Sequence, residues 1–267
     1  MKQVVCITGG SSGIGKAIGE FLVEKGYVVY GTSRNPSRYP ESKFPLLAME
    51  VTNSESIKQA LSELLKCTSR IDILINNAGV GITGPIEETP LEEIENAFQT
   101  NFLGPMAVIQ GVLPIMRTQQ SGLILNITSI AGYMGLPYRG IYSATKAALE
   151  IATEALRMEV KGFGIQCTNI APGDFATNIA SGRYHAPATK NSPYLPHYQN
   201  TLDLMDAHVD QGSDPQQMAF AVYKIIQSKN LKVHYRIGLP LQRFSVFLKR
   251  VLPDRLYEKI LMKHYKL

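Results

Sequence analysis

The stretch Val4-Val5-Cys6-Ile7-Thr8-Gly9-Gly10-Ser11-Ser12-Gly13-Ile14-Gly15 decides the fold. An apolar run of strand length passes directly into a glycine-rich turn. The turn leads into the helical pattern Ile14–Lys25, which Gly26 closes as the residue after the helix end. Glycines let a backbone turn tightly and approach a phosphate closely, and a helix N-terminus offers free N–H donors with a positive dipole end. Between a first strand and a first helix, such a turn is expected to cradle a pyrophosphate.

Working outward, apolar runs of strand length recur at Tyr27–Thr32, Leu46–Val51, Ile71–Asn76, Leu123–Thr128, Ile165–Ala171 and Lys232–Tyr235. Helical stretches separate them. One is expected to start at Thr89-Pro90, with Pro at the first helical position and Glu92 and Glu93 in the first turn. Another starts at Asp214-Pro215. Alternation of this kind predicts an α/β fold, a single doubly wound Rossmann-type domain with a parallel seven-stranded sheet. Ligands then belong at the carboxyl ends of the strands. The catalytic domain is expected over 1–238, with a Pro-, Tyr- and His-rich loop at 178–212 acting as a lid or remaining disordered. Residues 239–267 are expected to form a basic amphipathic tail.

Composition limits the alternatives. The chain has 267 residues, 45% hydrophobic and 18% charged, which is too apolar for disorder and long enough to need no disulfide or metal staple. Three cysteines, Cys6, Cys67 and Cys167, cannot all pair, and three reduced thiols suit a cytoplasmic protein. No secretory h-region precedes the first strand, and no apolar run reaches the roughly 18 residues of a membrane span. The five histidines are scattered and no Cys-x-x-Cys occurs, so no metal site is expected. Net charge is +5, but residues 236–267 carry eight Lys/Arg against two acids, leaving 1–235 at −1. A neutral body with no nucleic-acid motif argues against nucleic acid as a partner.

The spacing Gly9-x-x-x-Gly13-x-Gly15 after Thr8 resembles the turn of the short-chain dehydrogenase/reductase family, in its compact single-domain branch. Other motifs of that family follow in order. Asn76-Asn77-Ala78-Gly79 matches the loop after the fourth strand. Asn101 lies in Thr100-Asn101-Phe102-Leu103-Gly104, Ser129 lies thirteen residues before Tyr142, and Tyr142-Ser143-Ala144-Thr145-Lys146 matches the Tyr-x-x-x-Lys pair. Pro172-Gly173 with Thr177 matches the loop that holds a nicotinamide amide. The resemblance covers residues 1–177 well and extends loosely to 235. It implies catalytic roles for Asn101, Ser129, Tyr142 and Lys146. It implies a dinucleotide held by Thr8, Gly9, Ser11, Ser12, Gly13, Ile14, Gly15, Asn77, Ala78, Gly79, Asn101, Tyr142, Lys146, Pro172, Gly173 and Thr177. It also implies a homo-oligomer.

The end of the second strand selects the cofactor. An NAD site usually has an acid there for the ribose 2′-hydroxyl. This chain reads Thr32-Ser33-Arg34-Asn35, with Thr32 in the acid position, Arg34 placed for a 2′-phosphate and Ser33 or Asn35 as a neutral donor. NADP(H) is therefore expected. Glu50-Val51 stands where the family often has Asp-Val beside the adenine.

Tyr142 and Lys146 are one helical turn apart and share a face. A phenol is ordinarily too weak an acid at neutral pH, and a nearby ammonium favours its ionised form. This pairing suits Tyr142 as proton donor to a carbonyl oxygen, or as base in the reverse direction. Ser129 is expected to hydrogen-bond the same oxygen. The resemblance makes Asn101 the anchor of a water that relays protons through Lys146; Asn101 also interrupts a helical pattern.

At the substrate end, Gly132–Tyr138 is apolar or aromatic and lacks an arginine fork, which favours an apolar steroid, retinoid or lipid-like carbonyl. The run Ser129–Pro137 resembles hydroxysteroid and retinol dehydrogenases. Tyr184, His185 and His197 are expected on the surface or in the lid. The tail's Leu256, Tyr257, Ile260 and Leu261 form an apolar stripe flanked by Arg255, Lys259, Lys263 and Lys266. Such a helix can cover the pocket, pack on a partner subunit or make peripheral contact with an anionic membrane. The expected activity is reversible carbonyl reduction by hydride transfer. The alternatives are an epimerase or dehydratase using the same pair, or a non-catalytic dinucleotide sensor.

Overall fold

Seven of the apolar runs form one parallel sheet in the computed structural model, which describes residues 2–176, 182–187, 189–210 and 212–267, with 206–210 as backbone only. In chain order the elements are β1 (Val4–Ile7), α1 (Gly13–Glu24), β2 (Val28–Ser33), β3 (Leu46–Ala48), α2 (Ser54–Thr68) and β4 (Ile73–Asn76). Next come β5 (Ile82–Thr83), α3 (Leu91–Phe98), α4 (Gly104–Gln119), β6 (Gly122–Ile127), α5 (Gly140–Glu159) and β7 (Ile165–Pro172). The chain ends with β8 (Tyr184–His185), α6 (Leu195–Asp210), α7 (Pro215–Ile226), β9 (His234–Ile237), α8 (Pro240–Val251) and α9 (Asp254–Tyr265).

The main sheet has the order β3-β2-β1-β4-β6-β7-β9. This is the doubly wound α/β arrangement anticipated from the sequence. The strand order reverses between β1 and β4, so a crevice opens at the carboxyl ends of these two strands. The alternation of side chains along each strand divides the core. Cys6, Leu74, Ile124 and Cys167 meet Leu61, Leu64, Val108 and Val112 from α2 and α4. Val5, Ile7, Ile73, Ile75 and Leu125 meet Ile18 and Leu22 from α1, and Met218 and Val222 from α7. Each fully buried aliphatic side chain contributes about 1.5–3 kcal/mol. The cysteines are free, and burial pushes the thiols of Cys6 and Cys167 up to about 12.

Helix boundaries follow local chemistry. Asn53 caps α2 by accepting from the N–H groups of Glu55 and Ser56, and Asp214 caps α7 by accepting from Gln216 N–H. Gly26 takes φ +86° just beyond α1. Pro90 is the N-cap of α3 rather than its first residue, because its ψ of 139° is still extended. The third strand ends at Ala48, short of the expected Val51. There the Ser56 hydroxyl accepts from Glu50 N–H and Glu50 C=O accepts from Asn53 N–H, which folds the chain into a turn.

Two segments outside the strand–helix alternation carry structure of their own. The described part of 178–212 is organised: β8 pairs in parallel with β5, and α6 follows. The buried Tyr198 hydroxyl donates to the carbonyls of Thr83 and Ala186, which ties α6 to that ladder. The tail is a pair of helices, α8 and α9. Val246 from α8 and Tyr257 from α9 are buried with Ile130, Met134 and Ala171. The anticipated stripe is split, because Tyr257 is buried and Leu261 packs against the same cluster while Leu256 and Ile260 remain exposed.

Candidate active site

The glycine turn needs its glycines for space as well as for backbone freedom. Gly9 and Gly13 have φ of +65° and +53°, in the left-handed region that glycine favours. A Cβ on Gly15 would overlap the Gly9 carbonyl oxygen and the Asn77 amide. The turn is stitched to the loop after β4. Thr8 Oγ1 accepts from the N–H groups of Asn77 and Ala78 at 3.0 and 3.1 Å, and Asn77 Nδ2 donates to the carbonyls of Thr8 and Gly9, both at 3.0 Å. Ser11, Ser12 and Ile14 lie on the same turn at the start of α1, where a backbone cradle with no intruding Cβ fits a dinucleotide pyrophosphate.

The end of β2 lies beside this cradle. Thr32 is buried, and its hydroxyl faces Gly9 N–H at 3.4 Å. The Ser33 hydroxyl accepts from Asn35 N–H, and Arg34 is exposed. Glu50 is turned toward Thr52, whose N–H and hydroxyl it accepts at 3.2 and 3.1 Å, while Val51 is buried against the start of α4.

Helix α5 brings Tyr142 and Lys146 to the crevice, both buried. Lys146 Nζ lies 5.9 Å from the centre of the Tyr142 ring and donates to Ile127 C=O at 3.1 Å. Burial pulls the Lys146 ammonium down, opposed by negative charge at Tyr142 and Glu150. Ser129 is buried where β6 ends. Its oxygen accepts from Ala131 N–H at 3.1 Å, and its O–H remains able to donate. Ser129 and Tyr142 line one cavity with Ile14, Ile82, Pro172, Gly173 and Phe175.

Asn101 sits in a widened helical turn over Gln99–Leu103. Its Oδ1 accepts from Val80 N–H at 2.8 Å, and its Nδ2 donates to Val80 C=O and to Thr145 Oγ1. The amide thus joins the loop after β4 to α5. A Cβ on Gly79 would stand 3.0 Å from Asn101 Oδ1 and 3.4 Å from Lys146 Nζ, so these three residues converge. Thr177 lies outside the described residues.

The sequence reading missed three groups. Gln242 of α8 packs onto Gly173, and its Nε2 donates to Asp174 Oδ2 at 2.7 Å. Arg139 and Arg183 line the cavity beside Tyr142, although the segment 132–138 carries no arginine. Arg139 lies one residue past that segment, and Arg183 reaches the site only because β8 pairs with β5. Tyr133 does not line the cavity but sits in a polar cluster with Glu150, His234 and Arg236. Burial raises its phenol, and the Arg236 guanidinium lies 5.0 Å from its ring centre. Among the described residues, no group of three or more His, Cys, Asp or Glu is placed to hold a metal ion. No helix among them is long and apolar enough to cross a membrane.

Comparison with known proteins places this geometry in a family. The short chain dehydrogenase family model matches residues 3–187, and the chain belongs to the short-chain dehydrogenase/reductase family. It is an oxidoreductase with a fold that binds a nicotinamide dinucleotide. It is 39% identical to a 3-ketodihydrosphingosine reductase of Bacteroides thetaiotaomicron, over 98% of both chains. It is 30% identical to an NADPH-dependent 3-dehydrocapnine reductase of Ornithobacterium rhinotracheale, over 97% of this chain and 96% of that one. A short-chain dehydrogenase from Streptomyces avermitilis superimposes with a TM-score of 0.83 at 29% identity, covering 100% of this chain and 96% of the other.

One turn beyond Lys146, burial holds the Glu150 carboxyl up at about 7, although the Thr128 hydroxyl donates to it at 2.8 Å. Between the ordinary carboxylate range and pH 7, the folded chain keeps a proton that the unfolded chain releases. Glu150 therefore costs stability progressively as pH rises through this window, and the cost is complete above it. Relative to the wild type, Glu150→Gln is expected to gain on the order of 2 kcal/mol between pH 5 and pH 8. Urea unfolding at the two pH values measures this gain. A difference that does not vary with pH would remove Glu150 as the cause.

Proposed function

We propose that the protein is an NADPH-dependent reductase of a lipid-like ketone, working by hydride transfer with Tyr142 as the acid. The observation that carries this reading is the shared cavity of Ser129 and Tyr142 at the crevice beside the glycine turn, with Lys146 one helical turn below. The bound nicotinamide supplies the hydride. The Ser129 hydroxyl and the Tyr142 phenol hold the substrate carbonyl oxygen, and Tyr142 delivers a proton to it as negative charge develops there. The Lys146 ammonium lowers the cost of leaving charge on the phenol. Asn101 keeps α5 in register with the loop beside Gly79 and so fixes where Lys146 stands. Pro172, Gly173 and Thr177 are assigned to the nicotinamide end, and Ser33 and Arg34 to the 2′-phosphate. Glu50 and Val51 are assigned to the adenine end. The names of the two relatives, both reductases of keto compounds, support the lipid-like substrate class.

Tyr142→Phe is expected to lower kcat by about 10²–10⁴-fold while NADPH still quenches or shifts the protein's fluorescence at the same concentrations. Unchanged turnover would overturn the mechanism. An epimerase or dehydratase would instead release product with no net oxidation of NADPH.

Arg34→Ala is expected to weaken NADPH by about tenfold or more and to leave NADH nearly unaffected, since a charge-assisted pair to phosphate is lost only with the former. Calorimetric titration with each nucleotide compares them directly. Equal weakening of both would assign the 2′-phosphate elsewhere.

The proposed partners follow from two surfaces. Helix α8 buries only Val246 and leaves Leu241, Phe244, Phe247 and Val251 at 50–75% exposure along one side. Seven Lys/Arg against two acids lie within 239–267. Apolar side chains amid basic ones suit the surface of an anionic bilayer, and reduced thiols suit a cytoplasmic face. Exposed Ile151 and Met158, seven residues apart on α5, support self-association. Sedimentation with phosphatidylglycerol-containing vesicles is expected for the wild type and to be lost in Phe244→Ser/Phe247→Ser. If the wild type ignores vesicles and the double variant instead reduces oligomer size, α8 faces another copy.

A further inference from the structure

One helical turn behind Lys146 on α5 stands Glu150, buried like Lys146 itself. The hydride step described above uses neither its carboxyl nor its charge. Among the described residues Glu150 makes no ion pair. The Thr128 hydroxyl donates to it at 2.8 Å. That bond falls in a run of three residues that each meet a different part of the site. Ile127 C=O accepts from Lys146 Nζ at 3.1 Å, Thr128 meets Glu150, and Ser129 lines the cavity with Tyr142. Directly afterwards the short helix Ile130–Tyr133 lies against α5 at Lys146, where a Cβ on Gly132 would stand 3.3 Å from Lys146 Cβ. Glu150 thus fastens the end of β6 to the helix that carries Tyr142 and Lys146.

The charges around Glu150 come from three elements. On α5, Lys146 lies one turn before it and the exposed Glu154 one turn after. Tyr133 faces it from the short helix, and Arg236 from β9. His234, also on β9, is turned toward Glu154, with Nε2 at 2.9 Å from Oε1. Thr128, Tyr133 and Arg236 favour the ionised carboxyl and burial opposes them, which leaves it poised at about 7. Ionised Glu150 in turn favours the Lys146 ammonium against the burial that pulls it down. For folding alone an amide would serve better here, since the carboxyl lowers stability above pH 7 and closes no ion pair.

We propose that Glu150 is a positioning residue of the reductase, acting through Lys146: its carboxylate keeps positive charge on the Lys146 ammonium and clamps the end of β6 on which Ser129 stands. This rests on the reductase reading above and adds a third group behind its Tyr142–Lys146 pair. Once ionised, Glu150 delays loss of the Lys146 proton as pH rises. The same negative charge keeps the Tyr142 phenol protonated, as reduction requires. Both effects extend the working range toward higher pH.

The test is the pH profile of kcat for NADPH-dependent reduction of dodecan-2-one, a ketone with no titrating group. In Glu150→Gln the alkaline limb is expected about one pH unit below that of the wild type, while kcat near pH 5.5 stays within about threefold. This variant removes a group that costs stability, so misfolding does not confound it. Glu150→Asp keeps the charge and should hold its alkaline limb with the wild type, whatever its kcat. Glu154→Gln should also leave the limb in place. A uniform fall of kcat at every pH in Glu150→Gln marks a merely structural role and overturns the proposal. So does a limb that stays in place, or one displaced as far in Glu150→Asp or Glu154→Gln.

Should dodecan-2-one not turn over, the reductase reading fails for this substrate, and Lys146 itself decides the proposal separately. The protein is labelled with carbon-13 at the lysine Cε, and Lys146→Arg assigns the Lys146 resonance. In NMR titration Lys146 is expected to lose its proton about one pH unit lower in Glu150→Gln than in the wild type. Coincident titrations overturn the proposal.

Discussion

The rotation of α5 about its own axis is the constraint on which the site depends. Tyr142 and Lys146 are useful only while one face of this helix looks into the crevice, and apolar packing alone tolerates small rotations. Polar contacts remove that freedom. Asn126 Nδ2 donates to Thr153 Oγ1, Asn169 Nδ2 to Glu150 C=O, Asn101 Nδ2 to Thr145 Oγ1, and Lys146 Nζ to Ile127 C=O. Asn76, Asn126 and Asn169 stand side by side in the register of β4, β6 and β7. A row of buried amides thus crosses the sheet and ends on α5. Such groups are expensive to bury unless each finds a partner, so the arrangement penalises any rotation that would separate them.

Much of this was legible in the sequence because it is local. The seven strand runs, the glycine turn and the Tyr142–Lys146 spacing each involve residues close along the chain, and their periodicity carries the information. The errors arose where partners are distant. The slips at Pro90 and Val51 are of boundaries alone, and at Val51 the turn is made by Asn53 and Ser56 just beyond it. Arg183 is remote from Tyr142 in sequence, and only the pairing of β8 with β5 delivers it to the cavity. Arg139 is adjacent to the inspected segment, but its relevance depends on the direction in which α5 begins. The tail's apolar residues were visible, yet their division into inward and outward sets required the position of Met134, to which Tyr257 donates its hydroxyl hydrogen.

Two physical regimes meet at the crevice. Toward the glycine turn, recognition relies on backbone, with glycines removing side-chain bulk and Thr8 and Asn77 holding the loops in place. Toward the cavity, it relies on side chains drawn from α1, β5, α5 and the segments after β6, after β7 and before β8. The first presents backbone rather than side chains to its ligand. The second can change with one substitution on any of these elements. A scaffold divided in this way keeps its cofactor while its substrates diverge.

The carboxyl-terminal helices give this division a temporal side. Gln242 steadies Asp174 behind the Pro172-Gly173 turn, and Tyr265 meets Arg139 at the mouth of α5, so residues made after β9 complete walls begun much earlier in the chain. During synthesis from the amino terminus, the sheet through β7 can assemble while these walls are still missing. A nascent chain would carry a formed nucleotide cradle before its substrate cavity had closed. Competence for the second ligand therefore arrives only when the final turn of α9 has left the ribosome.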